Sequence, residues 1–168
     1  GSQGNDNFAV DAHENNGGPQ NDSSVTIVGG VGDNRYEVDD AYRVTITNDD
    51  GNNNYEVEDA AVVSITTGNG NNHFEIADSA DITLVAGDGN NRFEIESDNS
   101  DDTTEPNYSL DYPSHVSITV GDGQNDFDIE VDSYIGILHV TAGDGGNTID
   151  ALGHELNIAT GRSAGVIR

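Results

Sequence analysis

The chain has 168 residues and a formal charge of −27, from 32 acidic side chains against five basic ones, all of them Arg. A chain of this length is expected to form one domain, and so acidic a surface makes nucleic acid and anionic membrane surfaces poor partners and cations the natural ones. Apolar residues are only 33% of the chain, a balance that taken alone predicts disorder.

No apolar run is long enough to span a bilayer, and no basic-then-apolar leader is present. Cys is absent, which excludes disulfides and thiolate metal sites. Met is absent too, and Gly1-Ser2 reads as a cloning remnant, so the chain is expected to be a fragment of a longer protein that carries the targeting information elsewhere.

Along the chain one phrase recurs: SQGNDNFAV from Ser2, GVGDNRYEV (30–38), DDGNNNYEV (49–57), GNGNNHFEI (68–76), GDGNNRFEI (87–95), GDGQNDFDI (121–129) and GDGGNTIDA (143–151). The second Gly of each copy stands at 4, 32, 51, 70, 89, 123 and 145, which gives spacings of 28, 19, 19, 19, 34 and 22. The period is therefore 19, with three insertions near 13–24, 97–114 and 133–136 that leave the Gly-Asn phrase intact. A solenoid tolerates additions in this way, extra residues leaving at one corner while the rungs still stack.

Each unit holds two short alternating segments. Asn91, Phe93 and Ile95 are expected to face inward and Arg92 and Glu94 outward; in the other segment Val44 and Ile46 face inward and Thr45 and Thr47 outward. Strict period-two alternation reads as strand. The predicted fold is an all-β parallel β-solenoid, a β-roll or β-helix forming a single domain over 1–168, with about seven or eight rungs and two short strands per 19-residue rung. Stacking turns a few apolar residues per rung, such as Val63, Ile65, Phe74 and Ile76, into continuous buried columns. At about 4.8 Å per rung the body is about 35 Å long.

The turn G-x-G-x-N places two Gly in three positions, where backbones approach closely and carbonyls converge. Several hard oxygen donors per site suit calcium better than magnesium or zinc. Here the sequence resembles the RTX nonapeptide GGxGxDxUx of secreted bacterial proteins, and its period is similar to that of a Ca²⁺-dependent solenoid in giant bacterial surface adhesins with xGTGND turns. The resemblance implies a β-roll that binds Ca²⁺ between turns through Gly carbonyls and the motif Asp. It places metal ligands at Gly30, Gly32, Gly51, Gly68, Gly70, Gly87, Gly89, Gly121, Gly123, Gly143 and Gly145, and the motif's apolar position at Phe8, Tyr36, Tyr55, Phe74, Phe93, Phe127 and Ile149. The liganding acid is Asp only at Asp6; elsewhere the position holds Asn34, Asn53, Asn72, Asn91, Asn125 and Asn147. A neutral amide weakens a calcium site, and stacked inward Asn also form hydrogen-bonded ladders without metal. Both readings stand at this stage, the ladder alone and the ladder with Ca²⁺.

Two acidic columns face outward. Glu37, Glu56, Glu75, Glu94, Asp128 and Asp150 form one, a candidate outer cation column in which neighbours repel by roughly 0.9 kcal/mol even at the dielectric of water. Asp50, Asp88, Asp122 and Asp144 form the other, at the middle of the G-x-G. Both serve either as a solubilising surface or in divalent cation capture.

The second strand of each rung presents Thr26, Thr45, Ser64, Thr83, Ser117 and His139 beside Val28, Thr47, Thr66, Val85, Thr119 and Thr141, an array that resembles ice-binding faces or reflects plain β-propensity. The adhesin family carries Thr inside its turn, where this chain has none. A polysaccharide-active β-helix is the remaining alternative, but the acids repeat in every rung, Lys is absent and His13, His73, His115, His139 and His154 lack metal-ligand spacing. The expected function is a calcium-binding structural segment of a large secreted or cell-surface bacterial protein, a spacer or adhesin-like scaffold and not an enzyme. Its expected partners are calcium ions, flanking repeats of the same parent chain, and a polysaccharide or another surface protein.

Overall fold

A computed structural model describes residues 4–12, 23–98, 114–132, 136–162 and 166–167. In chain order the strands are β1 (Asn7–Asp11), β2 (Ser24–Val28), β3 (Arg35–Asp39), β4 (Arg43–Thr47), β5 (Asn54–Val57), β6 (Val62–Thr66), β7 (His73–Ala77), β8 (Asp81–Ala86), β9 (Arg92–Asp98), β10 (His115–Val120), β11 (Asp126–Asp132), β12 (Ile137–Ala142), β13 (Thr148–Leu152), β14 (Glu155–Thr160) and β15 (Val166–Ile167). The odd strands form one eight-stranded sheet in the order β1-β3-β5-β7-β9-β11-β13-β15, and the even strands a seven-stranded sheet in the order β14-β12-β10-β8-β6-β4-β2. All pairings are parallel. The chain therefore coils as a parallel β-solenoid, about six turns from β1 to β13, with β15 opening the next.

Equivalent residues of successive rungs lie side by side, as the period requires. Tyr55 pairs with Phe74 and Phe74 with Phe93. The two larger insertions fall between β1 and β2 and between β9 and β10, and the three-residue one between β11 and β12, always on the way from an odd to an even strand. Their central residues, 13–22, 99–113 and 133–135, lie outside the described residues.

Period-two burial builds the core. In β8, Ile82, Leu84 and Ala86 are buried and Asp81, Thr83 and Val85 exposed. Rings from six rungs, Phe8, Tyr36, Tyr55, Phe74, Phe93 and Phe127, stack with centroids 4.8–5.2 Å apart and planes within 13°. Each stacked pair adds about 0.5–1.5 kcal/mol beyond its area burial, and Ile149 continues the column, fully buried.

Ring chemistry and corner chemistry change along the column, with Phe74, whose corner position is the buried Thr67, at the transition. Where the column carries a hydroxyl, the facing corner is polar: Asn48 Nδ2 lies 3.5 Å from the Tyr55 hydroxyl, and Gly29 leaves the space that the Tyr36 hydroxyl and Asn48 Oδ1 fill. Where the rings are Phe93 and Phe127 and the column ends in Ile149, the same corner position is Ala86, Val120 and Ala142. A buried hydroxyl calls for a polar neighbour and a phenyl ring does not; Tyr55 has that neighbour in Asn48, while the Tyr36 hydroxyl makes no hydrogen bond among the described residues. Burial pushes the Tyr36 phenol far above the usual tyrosine range, with Tyr55 and Asp6 adding to the effect.

The two corners of the coil differ. Even strands lead to odd ones through the Gly-Asn turn. Odd strands lead to even ones through a short corner in which Asp40, Asp59 and Asp78 adopt the left-handed conformation, with φ of 56°, 52° and 48°. The residue after each, Ala41, Ala60 or Ser79, is small and buried. Asp is among the few non-glycine residues that enter this conformation readily.

Candidate cation sites at the turns and on the outer faces

The inner turn position is a continuous amide ladder. Asn34, Asn53, Asn72, Asn91, Asn125 and Asn147 are only 1–3% exposed. In each successive pair, the backbone N–H and the side-chain Nδ2 of one Asn donate to the Oδ1 of the next: from Asn34 to Asn53 at 3.0 and 3.2 Å, from Asn72 to Asn91 at 3.1 and 3.0 Å, and from Asn125 to Asn147 at 3.2 and 2.9 Å. The second Nδ2 hydrogen turns back to a Gly carbonyl of the same turn, as from Asn34 to Gly32 at 2.9 Å, from Asn53 to Gly51 at 3.0 Å and from Asn72 to Gly70 at 3.1 Å.

An amide offers two donors and two acceptor lone pairs, and Asn53, Asn72, Asn91 and Asn125 use all four within the protein. These oxygens do not fit a calcium ion while the ladder stands. At the first rung, the Asp6 N–H donates to Asn34 Oδ1 at 2.8 Å. The Gly30, Gly87, Gly121 and Gly143 carbonyls accept Asn Nδ2 hydrogens, and the Gly68 carbonyl accepts from Gly87 N–H at 3.1 Å.

The second glycine of the turn is fixed by this stacking. Gly51 and Gly70 have φ of 150° and 143°, and a Cβ at either would collide with the carbonyl oxygen of the equivalent Gly one rung before.

Outside the turn, two further ladders run in the opposite sense. Asp50 Oδ1 accepts Asn69 N–H at 2.7 Å, Asn69 Oδ1 accepts Asp88 N–H at 2.8 Å, Asp88 Oδ1 accepts Asp122 N–H at 2.8 Å, and Asp122 Oδ1 accepts Asp144 N–H at 2.7 Å. The column ends at Arg162, whose backbone N–H donates to Asp144 Oδ1 at 2.6 Å. The next position repeats the device through Asn5, Asp33, Asn52, Asn71, Asn90 and Gln124. Sequence reasoning missed this third ladder, although an amide or acid at that position in six rungs was its signal. Each exposed Asp of the G-x-G column thus holds a backbone N–H with one oxygen, and the other has no hydrogen-bond partner among the described residues.

The outer column predicted on the odd strands is realised in register, Glu37-Glu56-Glu75-Glu94-Asp128-Asp150. Arg35 binds Glu56 at 2.6 Å and Glu37 at 3.4 Å, and Arg92 binds Glu94 and approaches Asp126 at 3.7 Å. His73, Glu75 and Glu94 bring their ligand atoms within 4.8 Å of one another.

A further acidic group, Asp39, Asp40 and Asp59, gathers at the short corner. Burial, then the carboxylates of Asp78, Asp40 and Asp39, raises the Asp59 carboxyl above its ordinary value. Glu58 is raised by burial and by Asp39, Glu56, Asp59 and Asp78. The repetition of Asp at 40, 59 and 78 was the overlooked sign of this corner.

Two columns of the even-strand face differ in kind, beside a third that carries Asp81 and Glu155. Thr26-Thr45-Ser64-Thr83-Ser117-His139-Asn157 and Val28-Thr47-Thr66-Val85-Thr119-Thr141-Ala159 lie in register over seven strands without one carboxylate. Against these features, no protein-family model, no curated protein and no solved structure matches the chain.

Proposed function

We propose that the chain is a load-carrying rod segment, a spacer or adhesin-like scaffold of a secreted or cell-surface bacterial protein. In this reading flanking repeats extend it at either end, and calcium collects along its outer acids as a counter-ion. The observation that carries this reading is the unbroken inner ladder from Asn34 to Asn147. Coils held by closed amide networks need no metal for stacking. The half-occupied carboxylates of Asp50, Asp88, Asp122 and Asp144 supply hard oxygens of the sort that bind calcium weakly at extracellular, millimolar concentrations.

Circular dichroism and thermal melting in EDTA, in Ca²⁺ and in Mg²⁺ test it. The expected outcome is a retained β signature in EDTA and a modest rise in melting temperature with millimolar Ca²⁺. Collapse of the β signal on chelation would overturn it and place the metal inside the turns. Asn72→Asp sharpens the test: it removes two donors from the ladder and buries a carboxylate, so the variant should be destabilised by about 3 kcal/mol in EDTA. Calcium should recover much of that loss by turning the position into a site of the RTX type.

A second reading, an ice-binding face, rests on the neutral Thr, Ser and Val columns of the even strands. Thermal hysteresis with faceted ice growth supports it; hysteresis no larger than that of an unrelated acidic protein removes it.

A further inference from the structure

The outward face of the odd strands repeats one set of three positions, headed by Arg in two copies, Arg35 and Arg92, and by His73 in another. In the first copy, the Arg35 guanidinium reaches two carboxylates, Glu37 two residues along its own strand at 3.4 Å and Glu56 diagonally across on the next strand at 2.6 Å. Two rungs later the same three lattice positions hold His73, Glu75 and Glu94. Imidazole carries no permanent charge, so the two carboxylates face each other across paired positions with His73 where the guanidinium stood.

His73 Nε2 points into the gap. It has no hydrogen-bond partner and no solvent contact, and it lies 3.7 Å from Glu94 Oε2. Arg92 binds Glu94 through the other oxygen, Oε1, which leaves Oε2 turned toward His73. Glu75 has no ion-pair partner of its own among the described residues.

We infer that His73 Nε2, Glu75 and Glu94 Oε2 form a tripod for a divalent transition-metal ion of the zinc class, filling the place that the Arg35 guanidinium takes in the equivalent triad. Two ligands at i and i+2 of a strand and a third on its neighbour project from one face of the sheet. The nitrogen donor selects against calcium, which takes oxygen ligands, and in favour of Zn²⁺, Co²⁺ or Ni²⁺. Ligand atoms around zinc lie about 2.1 Å from the metal and hence about 3.4 Å apart. The present separations, 3.7 Å for His73 and Glu94 and within 4.8 Å for the whole group, close by small rotations of half-exposed and exposed side chains. Solvent completes the coordination on the open side. The site goes beyond the scaffold reading and does not depend on it, because neither the turn ladders nor the outer Asp column takes part.

The test is titration of the intact chain with Co²⁺, followed by visible absorption, and with Zn²⁺ and Ca²⁺ by calorimetry. The expected result is about one tight equivalent of Co²⁺ or Zn²⁺ that excess Ca²⁺ fails to displace, with a shift of the His73 ring resonances. His73→Gln should weaken Co²⁺ and Zn²⁺ by more than about tenfold, while His115→Gln, on the other sheet beside Asp81, leaves binding unchanged. His73→Arg, which rebuilds the Arg35 triad, should abolish the site and leave the melting temperature equal or higher. Unaltered Zn²⁺ affinity in His73→Gln, displacement by equimolar Ca²⁺, or no Co²⁺ spectrum in the parent chain would each overturn the assignment. These outcomes are independent of whether the protein melts differently in EDTA.

Discussion

The coil turns twice per rung, and its two corners follow different rules. The Gly-Asn corner is five or six residues long, is crossed by three side-chain ladders, and keeps its second glycine in every copy of the repeat. The short corner relies on one left-handed Asp and one small buried residue in three rungs, and all three insertions occur there. Register is thus set at one corner, which frees the other to vary. A ladder couples each rung to both neighbours along the whole stack, whereas the short corner is tied between rungs by single hydroxyls, such as Ser79 accepting the Ala60 N–H and Ser97 donating to the Ser79 carbonyl.

The largest way to break this contrast is at the second glycine. Gly70→Ala meets both an unfavourable positive φ and the Gly51 carbonyl, and should cost about 3 kcal/mol or more, read from denaturant unfolding.

A smaller effect compares the corners directly. Three Gly/Ser residues inserted after Asp78 should lower stability by about 1 kcal/mol, in line with the weak length dependence of loop closure. The same insertion after Asn71 interrupts the ladders and should approach the loss seen in Gly70→Ala. Equal losses at the two positions would dissolve the distinction.

The smallest effect is electrostatic. Asp59 is held above its ordinary value of 3.8 by burial and by its acidic neighbours. Its proton is therefore bound more tightly in the folded chain than in the unfolded one. The resulting stabilisation is complete below the ordinary carboxylate value and is lost as pH rises through the raised folded value. The protein should gain stability as pH falls through the raised Asp59 value toward the ordinary carboxylate value. Asp59→Asn keeps the left-handed corner, should raise neutral-pH stability by up to about 0.5 kcal/mol, and should flatten that part of the pH profile in thermal melts.

Much of this was legible in the residues. A period of 19 carried through Tyr36, Tyr55, Phe74 and Phe93 fixes which side chains share a column, since only one register keeps every apolar residue inside. The Glu and Thr columns followed from the same register. The use made of each turn oxygen did not follow. Asn at 53 or 72 is as able to accept an N–H as to face a cation, and only the rung spacing and the direction of its amide show that both lone pairs meet N–H donors. The corner Asp residues were hidden for another reason: in a chain with 32 acids, three of them at the right interval do not stand out until their backbone angles are seen. His73 was set aside because no second His lies nearby, yet its partners come from its own strand and the next, a proximity that depends on the stacked register.

The opposed sense of the inner and outer ladders has a consequence for growth. Each coil offers the one after it amide donors inside and oxygen acceptors outside, and offers the one before it the inverse. The two terminal surfaces of such a body are therefore unlike, as the plus and minus ends of a filament are. Copies or neighbouring segments joined through these surfaces match only head to tail, an arrangement that propagates as an open fibre and never closes as a twofold pair.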